Sequence, residues 1–149
     1  MHLWPPAVLA TLAAGRLDGV EELLEPVLTA PPNTVSDAVS AHLLRFRGLL
    51  SAARGGDHRE TEALLRAGID ALGTFGAVGH CAHAQQELAR WLVDQHRVDD
   101  AQPLIAAARA TYTQMGAAGW LAKVDDLLGH EASASPTDAH ASAVRHQRD

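Results

Sequence analysis

The stretch Gly15-Arg16-Leu17-Asp18-Gly19-Val20-Glu21-Glu22-Leu23-Leu24 returns 81 residues later as His96-Arg97-Val98-Asp99-Asp100-Ala101-Gln102-Pro103-Leu104-Ile105. A middle copy runs from Gly55-Gly56-Asp57 through Ala63-Leu64-Leu65, 40 residues after the first and 41 before the third. A fixed period of this length, each unit a pair of helices around a tight turn, is the pattern of an α-solenoid. One such unit cannot bury its apolar face alone, so the copies must stack.

Composition supports helices and nothing else. Alanine and leucine dominate, and no run alternates Val, Ile or Thr as a strand would. Aromatic residues make up only 4% of the chain. Close helix approaches therefore fall to Ala and Leu, with Phe46, Phe75, Trp91, Tyr112 and Trp120 as the few large core anchors.

The apolar periodicity predicts seven helices in order. Pro5-Pro6 opens the first, which ends at Gly15, and Asp18 caps the second, with Pro26 inside it. Ser36 caps the third, which ends at the Gly55-Gly56 turn before the fourth. A fifth covers about 80–96, a sixth starts from the cap Asp99 and ends at Gly116, and a short seventh carries Trp120 to Leu128. Residues 1–129 thus form one helical-repeat domain. The segment 130–149 is Ala, Ser, His and Asp with little to bury, and reads as a disordered tail.

A net charge of −6 with no basic tract argues against nucleic acid as a partner. The single cysteine, Cys81, rules out an intrachain disulfide and fits a reducing compartment. No apolar stretch reaches the roughly 20 residues that span a bilayer, and the N-terminus lacks a signal peptide's charged start. These features predict a cytoplasmic protein without a membrane partner.

Small residues recur seven positions before the turn (Val8, Gly48, Ala89), and the third copy places Ala101, Ile105 and Ala108 after it. Ala101 and Ala108 should mark tight helix crossings. This arrangement resembles the tetratricopeptide helix pair, with a period about six residues longer than that family's 34. It is also similar to the long-helix tetratricopeptide-like arrays at the C-terminus of large bacterial signalling proteins, namely multidomain ATPase regulators and nucleotide cyclase proteins. Arg47-Gly48-Leu49-Leu50-Ser51-Ala52-Ala53-Arg54-Gly55 and the Met115-Gly116-Ala117…Trp120-Leu121 ending carry that likeness. The resemblance implies a right-handed all-α solenoid of about three hairpins plus a closing helix.

Chemistry-bearing motifs are sparse. His80-Cys81-Ala82-His83 offers one ligand pair where zinc needs three or four converging ligands, so no metal is expected. His42 and His83 sit at equivalent places, each after an alanine, as a duplicated structural position would. No phosphate loop is present, and neither Asp99-Asp100 nor Asp125-Asp126 is an acid/base dyad. The chain is expected to be no enzyme and to need no cofactor.

The function implied is protein–protein interaction in bacterial regulation, with a peptide or helix as partner. The first helix of each pair would line the groove, which makes Arg45, Leu49, His83, Gln86 and Arg90 the expected contact residues. An alternative is that the chain is the C-terminal end of a larger ATPase-type regulator or nucleotide cyclase. A third is a small-molecule sensor with a pocket lined by Trp91, Tyr112 and Trp120. The apolar stripe of the first pair, residues 3 to 28, would stand in water without a capping helix and predicts self-association there.

Overall fold

The computed structural model describes residues 4–134, which form seven α-helices with no strand among them. They are α1 (Trp4–Ala13), α2 (Leu17–Leu28), α3 (Asp37–Ala53), α4 (His58–Phe75), α5 (Val78–Asp94), α6 (Val98–Met115) and α7 (Ala118–Ala134). α7 continues past Gly129, where the change in composition had put the end of the folded region. The rest of the expected tail, 135–149, lies outside the described residues.

Five tight turns share one geometry. A left-handed residue ends the helix at Gly15, Gly55, Gly76, His96 or Gly116. The next amide then bonds back five residues: Arg16 to the Thr11 carbonyl, Gly56 to Ser51, Ala77 to Leu72, Arg97 to Leu92 and Ala117 to Tyr112. This double-bonded helix stop recurs at fixed intervals and generates the period seen in the sequence.

The turns also explain two misplaced caps. After such a stop the next helix restarts at once, so Arg16 and Arg97 are themselves the N-cap residues, without a side-chain cap bond. Asp18 and Asp99, expected as caps, lie instead in the first helical turn, where a carboxylate still favours the positive helix end. Only the extra Gly56 makes room for a side-chain cap at these turns: Glu60 N–H donates to Asp57 Oδ1 at 2.9 Å. Ser36, after the longer α2–α3 connection, caps α3 by accepting from Val39 N–H.

His96 is the one turn residue of the five that is not glycine, at φ 60°. A side chain in that region costs about 1–2 kcal/mol, part of which glycine returns as chain entropy in the unfolded state. His96→Gly should therefore raise stability by about 0.5–1 kcal/mol. An unchanged urea midpoint would mean that the imidazole makes a compensating contact.

Consecutive helices run antiparallel, each pairing the start of one with the end of the next. Ser51 and Thr61 share a hydrogen bond at the α3–α4 turn, and Trp4 Nε1–H donates to the Leu23 carbonyl where α1 begins and α2 ends. Small residues set the closest approaches. A Cβ at Gly68 would fall 2.9 Å from the backbone nitrogen of Arg45, and one at Gly48 would fall 2.7 Å from Leu65 Cδ2. Ala101 and Ala108 are fully buried, as the tight-crossing expectation requires.

Two of the five expected anchors are in the interior, Phe46 and Tyr112. Phe75 and Trp120, each near a helix end, are exposed at 55% and 42%, and Trp91 is partly buried against the core. Most of the N-terminal stripe turns inward, although Leu28 stays 46% exposed and Leu3 lies outside the described residues. Val8, Val20, Leu24, Phe46 and Leu50 form a core cluster, and Trp4, Leu9 and Leu12 pack against it. What α1 leaves outside is Pro6, Ala7, Ala10 and Ala13.

Helices two apart behave differently by parity. The backbones of α1 and α3, α3 and α5, and α5 and α7 come close, whereas among the described residues those of α2 and α4, and of α4 and α6, do not; α4 and the N-cap of α6 are linked through the side chains of Glu62 and Arg97. Side chains about one repeat apart therefore meet along the odd-numbered helices.

Candidate functional site

The seam between the odd-numbered helices gathers seven of the rings among the described residues, together with the deeply buried Arg45–Glu87 ion pair. Trp4 of α1 sets its edge against Phe46 of α3 at 5.3 Å between ring centres, and His42 stacks on Phe46 at 5.5 Å. His42 meets His80 of α5 at 4.7 Å. His83 of α5 packs against Trp120 of α7 at 4.1 Å and Tyr112 of α6 at 5.5 Å. A chain of rings thus crosses the molecule.

Arg45 sits within this chain, and only 2% of its side chain is exposed. Its Nε and Nη2 donate to Oε2 and Oε1 of Glu87 at 2.7 and 2.5 Å, a two-point fork between α3 and α5. A guanidinium tolerates burial when its planar fork meets a carboxylate in this way. The third nitrogen, Nη1, has no hydrogen-bond partner, and Cζ lies 5.4 Å from the Phe46 ring centre. The ring supplies part of the missing stabilisation. His42 Nδ1 is likewise buried and unpartnered.

Tyr112 organises the far side of the seam. Its hydroxyl donates to Gln86 Oε1 at 2.9 Å and lies 2.9 Å from His83 Nδ1. The hydroxyl has one hydrogen to give, so His83 Nδ1–H donates to the phenol oxygen, which fixes the neutral tautomer. Burial, then the charges of Arg45, His80 and Lys123, hold His83 down at about 4. Burial, Arg45 and His80 do the same to His42, also to about 4. Both imidazoles are therefore neutral at pH 7. Burial and the Glu87 carboxylate push Tyr112 up to about 12.

The five expected contact residues divide. Arg45 and Gln86 are buried and committed to Glu87 and Tyr112, so neither has surface to offer a partner. Leu49 is half-buried between the two main core clusters, and His83 is half-buried under Trp120. Arg90 is exposed and, with Val93, Asp94 and Leu127, lines an open cleft of about 480 Å³. Helix periodicity had placed these side chains on one face, which they share. It could not say that the neighbouring helix, one repeat on, would cover part of that face.

Trp91, Tyr112 and Trp120 do not line a common pocket. Trp91 sets its ring against His58 of α4 at 5.5 Å, at the opposite end of α5 from His83. Burial and the Asp70 charge raise the Cys81 thiol, which points at the Ile69 carbonyl at 3.6 Å, so it is held as a protonated side chain. Among the described residues no group of three or more His, Cys, Asp or Glu is placed to hold a metal ion, and no helix is long and apolar enough to cross a membrane. No family model, curated protein or solved structure matches the chain.

Proposed function

We propose that this chain is a non-catalytic protein-interaction module, a tetratricopeptide-like, right-handed α-solenoid acting in regulation or scaffolding within bacterial signalling. The observation that carries the reading is the parity of backbone approach: successive odd helices come close to one another and successive even helices do not. Helices that meet their repeat neighbours sit on the inside of a curve, and those held apart sit on the outside. The ring-lined seam is then the floor of a concave face that takes a peptide or a helix of the partner.

On that floor Trp120, Lys123, His80 and Arg90 are exposed, with His83 and Leu49 half-covered between them. Lys123 Nζ lies 4.2 Å from the centre of the Trp120 ring, which keeps this aromatic flat and oriented. Exposed aromatic and arginine side chains on a rigid helical floor are the groups that anchor protein partners. Support for a non-catalytic role comes from the same residues: the imidazoles are engaged with other rings, and Cys81 is no thiolate.

The test is site-specific photo-crosslinking in cells with a benzophenone residue in place of Trp120 or Arg90, against the same residue at Ala63 on α4. A partner captured from the odd face alone is then purified and titrated against the wild type and Trp120→Ala. At least about a tenfold loss of affinity is expected for an anchoring aromatic. Adducts formed only from Ala63, or equal binding by the variant, would sink the assignment of the face.

A further inference from the structure

The charges that act on His83 from the elements packed around it are positive. Arg45 acts from α3, His80 from α5 with its ring 6.4 Å away, and Lys123 from α7. Tyr112 of α6 and Gln86 of α5 are neutral partners, and Glu87 of α5 is bound in the fork to Arg45. Asp125 of α7 turns the other way, to Arg109 of α6. His83 Nδ1–H is already spent on the Tyr112 hydroxyl, so a second proton must enter at Nε2. The indole of Trp120, 4.1 Å from the imidazole, already carries the Lys123 ammonium over its ring at 4.2 Å. This is a setting for a neutral imidazole only.

α7 is the element that can yield. Among the described residues its backbone comes close only to those of α6 and α5, whereas α5 is approached by α3, α4, α6 and α7, and α3 by α1, α2, α4 and α5. It is held by Val124 and Leu127 in the core cluster, by Trp120 on His83, and by the half-exposed Arg109–Asp125 pair, which is worth little. A helix with few neighbours opens locally at lower cost than the whole molecule. His42 is the contrast. It too faces Arg45 and His80, but its helix is enclosed, and no single element can move to relieve it.

We propose that α7 is an acid-released helix: protonation of His83 undocks it from α5 and α6 while α1 to α6 stay folded. Docked, His83 is held down at about 4 by burial and then by Arg45, His80 and Lys123. Undocking returns the ring to water and removes Lys123, so its value climbs toward the ordinary 6.5. Below 6.5 the undocked form binds a proton that the docked form refuses, so opening grows as pH falls toward 4. Full recovery of 6.5 would favour the open form about thirtyfold at pH 5. Arg45 and His80 remain beside the ring, so about tenfold is expected. Trp120 and Lys123 belong to the proposed partner face, which acid would then divide. That consequence rests on the proposed function, whereas the release of α7 does not.

Hydrogen exchange by NMR on the full chain at about pH 7 and pH 5, corrected for intrinsic rates, tests it. Amides of α7 from Leu121 to Leu127 should exchange through an opening short of global unfolding and lose about tenfold protection at the lower pH. His83→Phe should remove that loss. His83→Gln, which cannot charge and still offers Tyr112 a hydrogen bond, should do the same. His42→Leu should leave it intact, while the α4 amides, which report global unfolding, should respond to both histidines. Circular dichroism near neutrality checks that each variant folds. The proposal is overturned if α7 keeps its protection in acid, or if the loss survives both His83 variants. It is overturned equally if α7 and α4 match in protection at both pH values and respond alike to His42→Leu, since α7 then opens only with the whole molecule.

Discussion

Glu87→Ala is expected to cost about 3–5 kcal/mol of stability, among the largest effects available from a single substitution in this chain. The reason is what it leaves behind. Arg45 stays 98% covered with Nη1 already unpartnered, and loses both acceptors for its remaining fork. An arginine keeps its delocalised charge on burial. It cannot swing out either, because its backbone is pressed against the bare Cα of Gly68 and its side chain against Phe46. Removing both charges together should be much milder: Arg45→Met with Glu87→Leu keeps the volume and takes away the desolvated ions, and most of the loss should be recovered. Urea unfolding of wild type, single and double variants measures the coupling directly. A single-variant loss below about 1 kcal/mol would mean that the pair is open to water in solution.

The same pair shows what could be read in the sequence and what could not. The helices, their order and their glycine stops were legible, because a left-handed stop leaves a glycine and a period leaves a repeat. The face of each helix was legible too, so Arg45, Gln86 and Arg90 do lie along one side of their helices. Their exposure was not, since it depends on which residue of the next repeat stands opposite. The available signal was charge complementarity at the repeat distance, Arg45 with Glu87, 42 residues on. Phe46 and Tyr112 are the core anchors expected, but Phe75 is not, for a related reason: it has the composition of a core residue and the position of a helix end. The bare Cα of Gly68, against which Arg45 packs, takes its meaning only from the helix beside it. The inward turn of Leu9 and Leu12 was likewise hidden, because only the packing of α1 on α3 gives them somewhere to go.

Acid should loosen the seam well before it protonates most carboxylates. His42 and His83 have folded values of about 4 against an ordinary 6.5. Between these limits the unfolded chain binds protons that the folded chain refuses, so stability rises with pH across the window. The contribution is complete above about pH 6.5 and is lost as pH falls toward 4. Each histidine taken alone corresponds to about 3 kcal/mol. The two share Arg45 and His80 as positive neighbours and are only partly desolvated, so the pair together should account for about 3–5 kcal/mol. Glu87 is the carboxylate that meets the seam from α5, while Arg45, His80 and Lys123 add to the repulsion once the imidazoles charge. Glu62, held below its ordinary 4.5 chiefly by its hydrogen bond to Arg97, loses its own contribution only at lower pH, which separates the two effects. Urea midpoints collected from about pH 7 down to pH 4 should therefore fall steadily through the histidine window. His42→Leu and His83→Phe, each stable enough to measure near neutrality, should flatten that slope in turn. A slope unchanged in both variants would show that the acid sensitivity lies elsewhere and that the seam already admits water at neutral pH.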